Sequence, residues 1–332
     1  MKILVTGGAG YIGSVLLGQL LEKGYEVICL DRLIFGDIGI RNYIGANNFK
    51  LIRGDTRTFD PQILHSIDVV VDLAAISQPD PSGLLNKELF YSINYKGPVR
   101  IANLSKKYGV KRYIFASTCS VYGFQEGLIS EKSSVNPLEE YAKTKLLAEN
   151  ELKSLCSDRF CVTILRFATV YGLSDKMRFD LVVNGMTLSL HKASVIKVMR
   201  PGTQVRPVVH VIDVARAIMT VMEAEMEKVC GEIFNVGSNE QNYQIYELAE
   251  VIGNSIGKPF DIEWYGEPDA RSYRVDFTKI KNLLGFKTLY TPKEGAREIY
   301  RALEDGQITD TPETNVIRWW KSLQDQGNWI TR

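Results

Sequence analysis

The sequence predicts an α/β protein, a Rossmann-like doubly wound parallel sheet with a smaller discontinuous α/β substrate-binding domain. Three observations carry this expectation. Short β-branched runs, apolar throughout, alternate with helix-like stretches over the first half of the chain, the pattern of strands covered by helices on both faces. A glycine-rich turn, "TGGAGYIG", follows the first apolar run and opens the first helical stretch, as a phosphate-binding turn does. With 332 residues, 45% of them hydrophobic, the chain can bury a large core and divide into about two domains.

In chain order, "KILVTG" reads as a strand, "YIGSVLLGQLLEKG" as a helix and "YEVICLD" as a second strand. Further strands are predicted at "FKLIRGD", "DVVVDLAA", "RYIFAST" and "CVTILRFATV", each short and bounded by polar or glycine positions. Helices are predicted between them at "SINYKGPVRIANLSKKYGV" and "YAKTKLLAENELKSL". These elements make a first domain over 1–171. Beyond Gly172, "LSDKMRFDLVVNGMTLSLHK" reads as a loop and an amphipathic helix. "PVVHVIDVARAIMTVMEAEM" returns to strand and helix and is expected to rejoin the first domain, over about 208–236. The substrate side is then 172–207 with 237–332, holding a helix at "QIYELAEVIGNSIG", a strand at "FDIEWYG" and helices at "TPKEGAREIYRALEDG" and near Trp319.

Forty basic residues against 39 acidic ones leave a net charge of +1, which gives no pull towards nucleic acid or an anionic membrane. No apolar run approaches the roughly 20 residues of a membrane span, and "MKILVTGG" reads as a strand rather than a signal peptide. A cytoplasmic protein with neither nucleic acid nor membrane as partner is expected. Cys29, Cys119, Cys156, Cys161 and Cys230 are scattered without paired spacing, so reduced thiols are expected. His65, His191 and His210 lack metal-ligand spacing, and no metal is expected. His210, inside an apolar strand, reads as a core residue, as do Met219, Met222 and Met226 at helical spacing; Trp319 and Trp320 read as anchors of the last helix.

Gly7, Gly10 and Gly13 stand where a backbone must approach a pyrophosphate at a helix N-terminus. Asp31, closing the second strand, suits the hydroxyls of an adenosine ribose and repels a 2′-phosphate, which favours NAD over NADP. Arg32 pulls the other way, since an arginine there neutralises such a phosphate. Asp55 and Thr56, after the third strand, either hold the adenine edge or make a polar turn. Tyr141 and Lys145 lie four positions apart on one helix face, where a positive charge favours a phenolate. "STCSVYG", Ser117 to Gly123, ends a strand in small polar side chains, which serve either as a cap and turn or as a hydroxyl presented to a ligand.

Taken together, "TGGAGYIG", "LAA" at Leu73, Ala74 and Ala75, "STCSVYG", "YAKTK", "RFATVYG" and "RPVVHVIDVARA" resemble the extended short-chain dehydrogenases/reductases, the NAD-dependent nucleotide-sugar epimerase and dehydratase group. The resemblance runs over essentially the whole length. It implies Tyr141 as catalytic base, Lys145 as the residue that lowers its pKa and holds the nicotinamide ribose, and Thr118 as partner of the reacting sugar hydroxyl. It adds Tyr11, Ile12, Leu73, Ala74, Ala75 and Asn94 to the cofactor contacts. It places Thr169, Arg178, Asn184, Arg206 and Arg271 at the nucleotide-diphosphate-sugar substrate; for Arg206 and Arg271 a surface ion pair is the other reading. It implies oxidation of a sugar carbinol, usually at C4, and a homodimer.

Three departures bear on the branch. Sugar 4,6-dehydratases carry an Asp-Glu pair after the catalytic threonine, and here Cys119 and Ser120 occupy those positions. Epimerisation needs no such acid and base, so the expectation is a C4 epimerase. Thr169 stands where many relatives have asparagine, and Pro207 replaces an aspartate. "GLSDKMRFDLVVNG" resembles a subgroup that includes enzymes oxidising C4 of GDP-heptoses, so a C4 dehydrogenase and an atypical dehydratase compete with the epimerase. A non-catalytic NAD-binding regulator is the reading from another class, against which the set Thr118, Tyr141 and Lys145 argues.

Overall fold

The computed structural model describes residues 1–76, 87–267 and 272–325. Its chain opens with β1 (Lys2–Thr6), α1 (Tyr11–Glu22), β2 (Glu26–Asp31), β3 (Phe49–Arg53) and β4 (Val69–Asp72). Helices α2 (Lys87–Tyr91) and α3 (Gly97–Lys107), joined by a π-helical turn at Ser92–Lys96, lead to β5 (Arg112–Thr118). There follow β6 (Leu128–Ile129), α4 (Glu140–Ser154), β7 (Cys161–Phe167), β8 (Thr169–Tyr171), α5 (Val182–Ala193), β9 (Val195–Met199), β10 (Val205–His210) and α6 (Val211–Glu223). The last stretch holds α7 (Met226–Val229), β11 (Ile233–Val236), β12 (Asn242–Gln244), α8 (Ile245–Ile256), β13 (Asp261–Tyr265), β14 (Arg274–Val275), α9 (Thr278–Leu284), α10 (Pro292–Glu304) and α11 (Val316–Asp325).

Seven strands form one sheet in the order β11-β7-β5-β4-β1-β2-β3, and each pairing is parallel. The uninterrupted apolar runs follow from this arrangement. Ile3 and Val5 of β1 face α1 and α6, packing with Leu16, Leu17 and Ile218. Leu4 between them faces the other way, with Ile101 of α3 and Leu152 of α4. Every position of such a strand is buried, so no polar alternation survives. Strand order reverses between β1 and β4, which opens a crevice at their carboxyl ends.

A separate three-stranded sheet, β12-β10-β8, and the pair β13-β9 lie on the other side of that crevice. Helices α5, α8 and α10 pack there around Leu190, Leu248, Ile252 and Ala296. The expected return of the chain to the first unit needs a correction at its start. Strand β10 hydrogen-bonds to β8 and β12 rather than to the large sheet, because β8 diverges from β7 after Ala168 and offers it an edge. Helix α6 packs on the β1 side, and β11 pairs with β7. His210 is fully buried, with Nε2 2.6 Å from Glu298 and Nδ1 accepting from Ile212 N. Met219 and Met222 are buried in the main core. All five cysteines are free thiols.

Candidate active site

The carboxyl ends of the central strands open on a cavity of about 1120 Å³ that continues across to β9 and β10. Its floor begins at the glycine turn. Gly7 sits at φ +68°, and a Cβ there would lie 2.8 Å from the Ala74 backbone; one at Gly13 would lie 2.6 Å from Gly7 and Gly8. Those glycines let β1, α1 and the segment after β4 close on one another. Gly10 caps α1 with no side-chain hydrogen bond, so the positive end of that helix faces the cavity uncapped.

Asp31 closes β2 with both oxygens placed by backbone donors, Ala9 N at 3.0 Å and Leu33 N at 2.7 Å. Burial raises its pKa while those two donors lower it. Arg32 reaches Asp55 at 3.2 Å, and Arg57 holds the same carboxylate at 2.7 Å; the two guanidiniums help keep the Asp55 carboxyl below its usual range. Arg32 is thus engaged beside Asp31. A glycine cradle, an uncapped helix end and a fixed ribose-side carboxylate fit NAD, and Tyr11, Ile12, Asp55, Thr56 and Leu73 to Ala75 line the same cavity.

At the chemical end, Thr118 closes β5, and its hydroxyl accepts from Ser120 N at 3.1 Å. Tyr141, in the first turn of α4, lines the cavity together with Thr118. Burial pushes the Tyr141 phenol up to about 12, while the Arg178 guanidinium and the Thr118 hydroxyl pull it down. Lys145 turns into the sheet: its ammonium donates to Ala116 O at 2.8 Å and lies 4.4 Å over the Phe115 ring. Burial depresses its pKa to about 8, opposed by the charges of Asp72 and Glu149. The Arg178 guanidinium, whose charge lowers the phenol, is itself paired with Asp180.

The two readings of "STCSVYG" divide by residue. Ser117 donates to the buried Glu149, and the Cys119 thiol, which does not line the cavity, donates to Arg166 O at 3.3 Å. Burial holds the Cys119 thiol far above its ordinary pKa. Ser117, Thr118 and Ser120 line the cavity, and Gly123 takes the turn at φ +68°.

Thr169, Arg178 and Arg206 line the cavity's far side. Arg206 donates to Val205 O at 3.0 Å, with its guanidinium 5.5 Å from the Tyr273 ring centroid. Arg271 lies outside the described residues. Asn94 and Asn184 are fully buried and act on the backbone. Asn94 accepts from Ile76 N and donates to Ile76 O, pinning the segment after β4. Asn184 accepts from Gly172 N and donates to Tyr11 Oη and Arg178 O, which positions rather than lines the site. Sequence reading missed Glu139, Lys176, Gln204 and Trp320, which also border the cavity. Glu139 directly precedes Tyr141's helix and Lys176 sits in the "DKMRFD" stretch, so position was their one signal; Gln204 and Trp320 had none. Among the described residues no cluster of His, Cys, Asp or Glu could hold a metal ion, and no helix is long and apolar enough to cross a membrane.

A sequence model described as the NAD dependent epimerase/dehydratase family matches residues 3–237. The Bacillus subtilis (strain 168) protein named uncharacterized UDP-glucose epimerase YtcB is 30% identical over 311 residues, spanning 89% of this chain and 95% of its own. Among solved structures, UDP-glucuronic acid 4-epimerase from Bacillus cereus, in complex with UDP-glucuronic acid and NAD, superposes with a TM-score of 0.82 at 26% identity, covering 92% of this chain and 99% of that one. DesIV, a dTDP-glucose 4,6-dehydratase from Streptomyces venezuelae with NAD and TYD bound, gives a TM-score of 0.80 at 26% identity, covering 92% and 98%.

Proposed function

The chain belongs to the NAD-dependent epimerase/dehydratase family, and from that premise we propose that it is a nucleotide-diphosphate-sugar 4-epimerase. The observation that carries the proposal is that Thr118 and Tyr141 line one cavity, continuous with the dinucleotide turn. NAD, when bound, supplies reversible hydride acceptance from the sugar carbinol carbon and a positive charge beside the phenol. Tyr141 takes the proton of the carbinol O–H as general base and gives it back to that same oxygen once the keto sugar has turned its other face towards the cofactor side. Thr118 orients the reacting hydroxyl. Arg178 stabilises the phenolate electrostatically, working in a buried site where such charge is weakly screened. Lys145 fixes the floor of the site through Ala116 O. Arg206, on the far wall, suits the substrate diphosphate. We place the cofactor unit at 1–171 with α6 and β11, and the substrate side on the remaining elements.

Epimerisation is favoured over loss of water because the position of the dehydratase acid holds Cys119, whose thiol is buried and spent on Arg166 O. Glu139 borders the cavity next to Tyr141, and this carboxylate is the observation that would serve an atypical elimination. UDP-sugars are the first substrates to test, since relatives are named for UDP-glucose and UDP-glucuronate. A cytoplasmic homodimer is part of the proposal. Helices α3 and α4 lie side by side, and α4 leaves Leu147 exposed on its outer side. Sedimentation at micromolar concentration decides between dimer and monomer. For the chemistry, Tyr141→Phe should lower turnover by about 10²–10⁴-fold while keeping its cofactor; a Phe variant as active as wild type would remove Tyr141 from the role.

A further inference from the structure

The segment leading into α11, and α11 itself, lie against the cofactor side of the cavity. Phe179 N donates to Thr314 O at 2.7 Å, Val316 N to Asp180 at 3.4 Å, and the Lys176 ammonium to Glu313 O. These bonds seat the start of the helix on the loop that follows Gly172. Beyond them, two adjacent tryptophans behave differently. Trp319 donates its indole N–H to Ile34 O at 2.8 Å, fastening the helix to the loop after β2. Trp320 is 7% exposed, borders the cavity, and its indole N–H has no hydrogen-bond acceptor among the described residues.

Trp320 packs edge-on to Phe35, with centroids 5.3 Å apart, and shares a cluster with Ile76, Phe90 and Val316. Phe35 follows Asp31 on the ribose side of the crevice, and Ile76 follows β4 on the opposite side. The helix therefore bridges both rims of the crevice whose floor is the glycine turn. A buried donor without an acceptor is uncommon and unfavourable, and a buried indole N–H ordinarily finds a partner. An acceptor that arrives with a ligand resolves this. The ligand belonging between those rims is the dinucleotide, which is rich in ribose and phosphate oxygens.

We propose that α11 closes over the bound NAD and that Trp320 donates its indole N–H to an oxygen of the cofactor. The helix is then a retention element. A reaction that takes a hydride and returns it within one cycle does not need to exchange its cofactor, and a closed crevice suits that economy. The inference rests on NAD and on this chain's own residues, and it holds whichever sugar is processed.

The test uses the full-length protein loaded with NAD, as wild type, Trp320→Phe and Trp320→Ala. Retained NAD is quantified after gel filtration, and the dissociation rate is followed by dilution into a NAD-scavenging enzyme. Circular dichroism and melting of the cofactor-free forms verify folding. Phenylalanine keeps the packing against Phe35 and Ile76 and removes the donor, so its NAD should leave about fivefold to tenfold faster, the weight of one neutral hydrogen bond. Alanine opens the crevice further and should lose NAD faster still. Wild-type dissociation in a folded Trp320→Phe protein overturns the inference. So does unchanged NAD retention with weakened binding of UDP-glucose or UDP-glucuronic acid, which would assign the N–H to the sugar instead.

Discussion

Replacing Arg166 with Met should cost the fold about 3–5 kcal/mol, because it strands a buried carboxylate. Arg166 on β7 and Glu149 on α4 meet at 2.6 Å, with side chains 4% and 2% exposed. The guanidinium Nε also reaches both carboxylate oxygens, at 3.1 and 3.2 Å, and Nη1 donates to Tyr122 Oη at 3.0 Å. Methionine fills much of the volume and supplies none of these donors, leaving Glu149 with Ser117 as its partner. At an unfolding entropy of about 2.1 cal/mol/K per residue, a chain of 332 residues loses roughly 4–7 °C in Tm for that energy. The assay is thermal melting of cofactor-free protein, so that ligand binding adds nothing to the midpoint. Glu149→Gln combined with Arg166→Met removes both charges and should recover most of the loss. A single Arg166→Met protein melting with wild type would refute the claim that the pair is buried and mutually dependent. Because Ser117 adjoins Thr118, the single variant should also lower turnover.

Two further predictions concern the pH profile. Arg178→Met removes the guanidinium that draws the Tyr141 phenol down from its burial-raised value, so the acidic limb of kcat/KM should move to higher pH; Arg178→Lys should move it back in part, and an unmoved limb would contradict the assigned field. Lys145, depressed to about 8 by burial, is charged below that pH and neutral above it. Its charge supports the site, so kcat/KM of wild type should fall as pH rises through about 8, and Lys145→Met should be slower and lack that alkaline limb; an identical limb in the variant would assign it to another group.

Much of the fold was readable because burial on both faces leaves a strand with no polar position, and Ile3 to Val5 and Val69 to Val71 show this directly. The glycine turn was readable for a steric reason, since Gly7 and Gly13 have no room for a Cβ. The Tyr141–Lys145 spacing was equally plain, but helical spacing does not say where a lysine ends. Ala116 O, Asp72 and Phe115 draw its ammonium into the sheet, and those partners come from other strands. Arg178 became the neighbour of Tyr141 only through the loop fixed by Asn184 and Tyr11. Strand β10 read as a buried strand and is one; its allegiance to β8 depends on where β7 ends. Trp320 read as an anchor of the last helix and carried no signal for the cavity. Its place over the crevice is set by bonds such as Trp319 to Ile34, between the two ends of the chain.

The measurement that bears most directly on the proposed reaction is product analysis by NMR with UDP-, GDP-, CDP- and dTDP-sugars, run while nicotinamide absorbance is recorded on the same sample. The arrangement of Thr118, Tyr141 and Cys119 predicts a C4 epimer, formed to equilibrium, with no lasting reduced nicotinamide. A released 4-keto sugar with lasting reduced nicotinamide would make the enzyme a C4 dehydrogenase, and a product that has lost water would show Glu139 or another group performing an elimination; either result contradicts epimerisation.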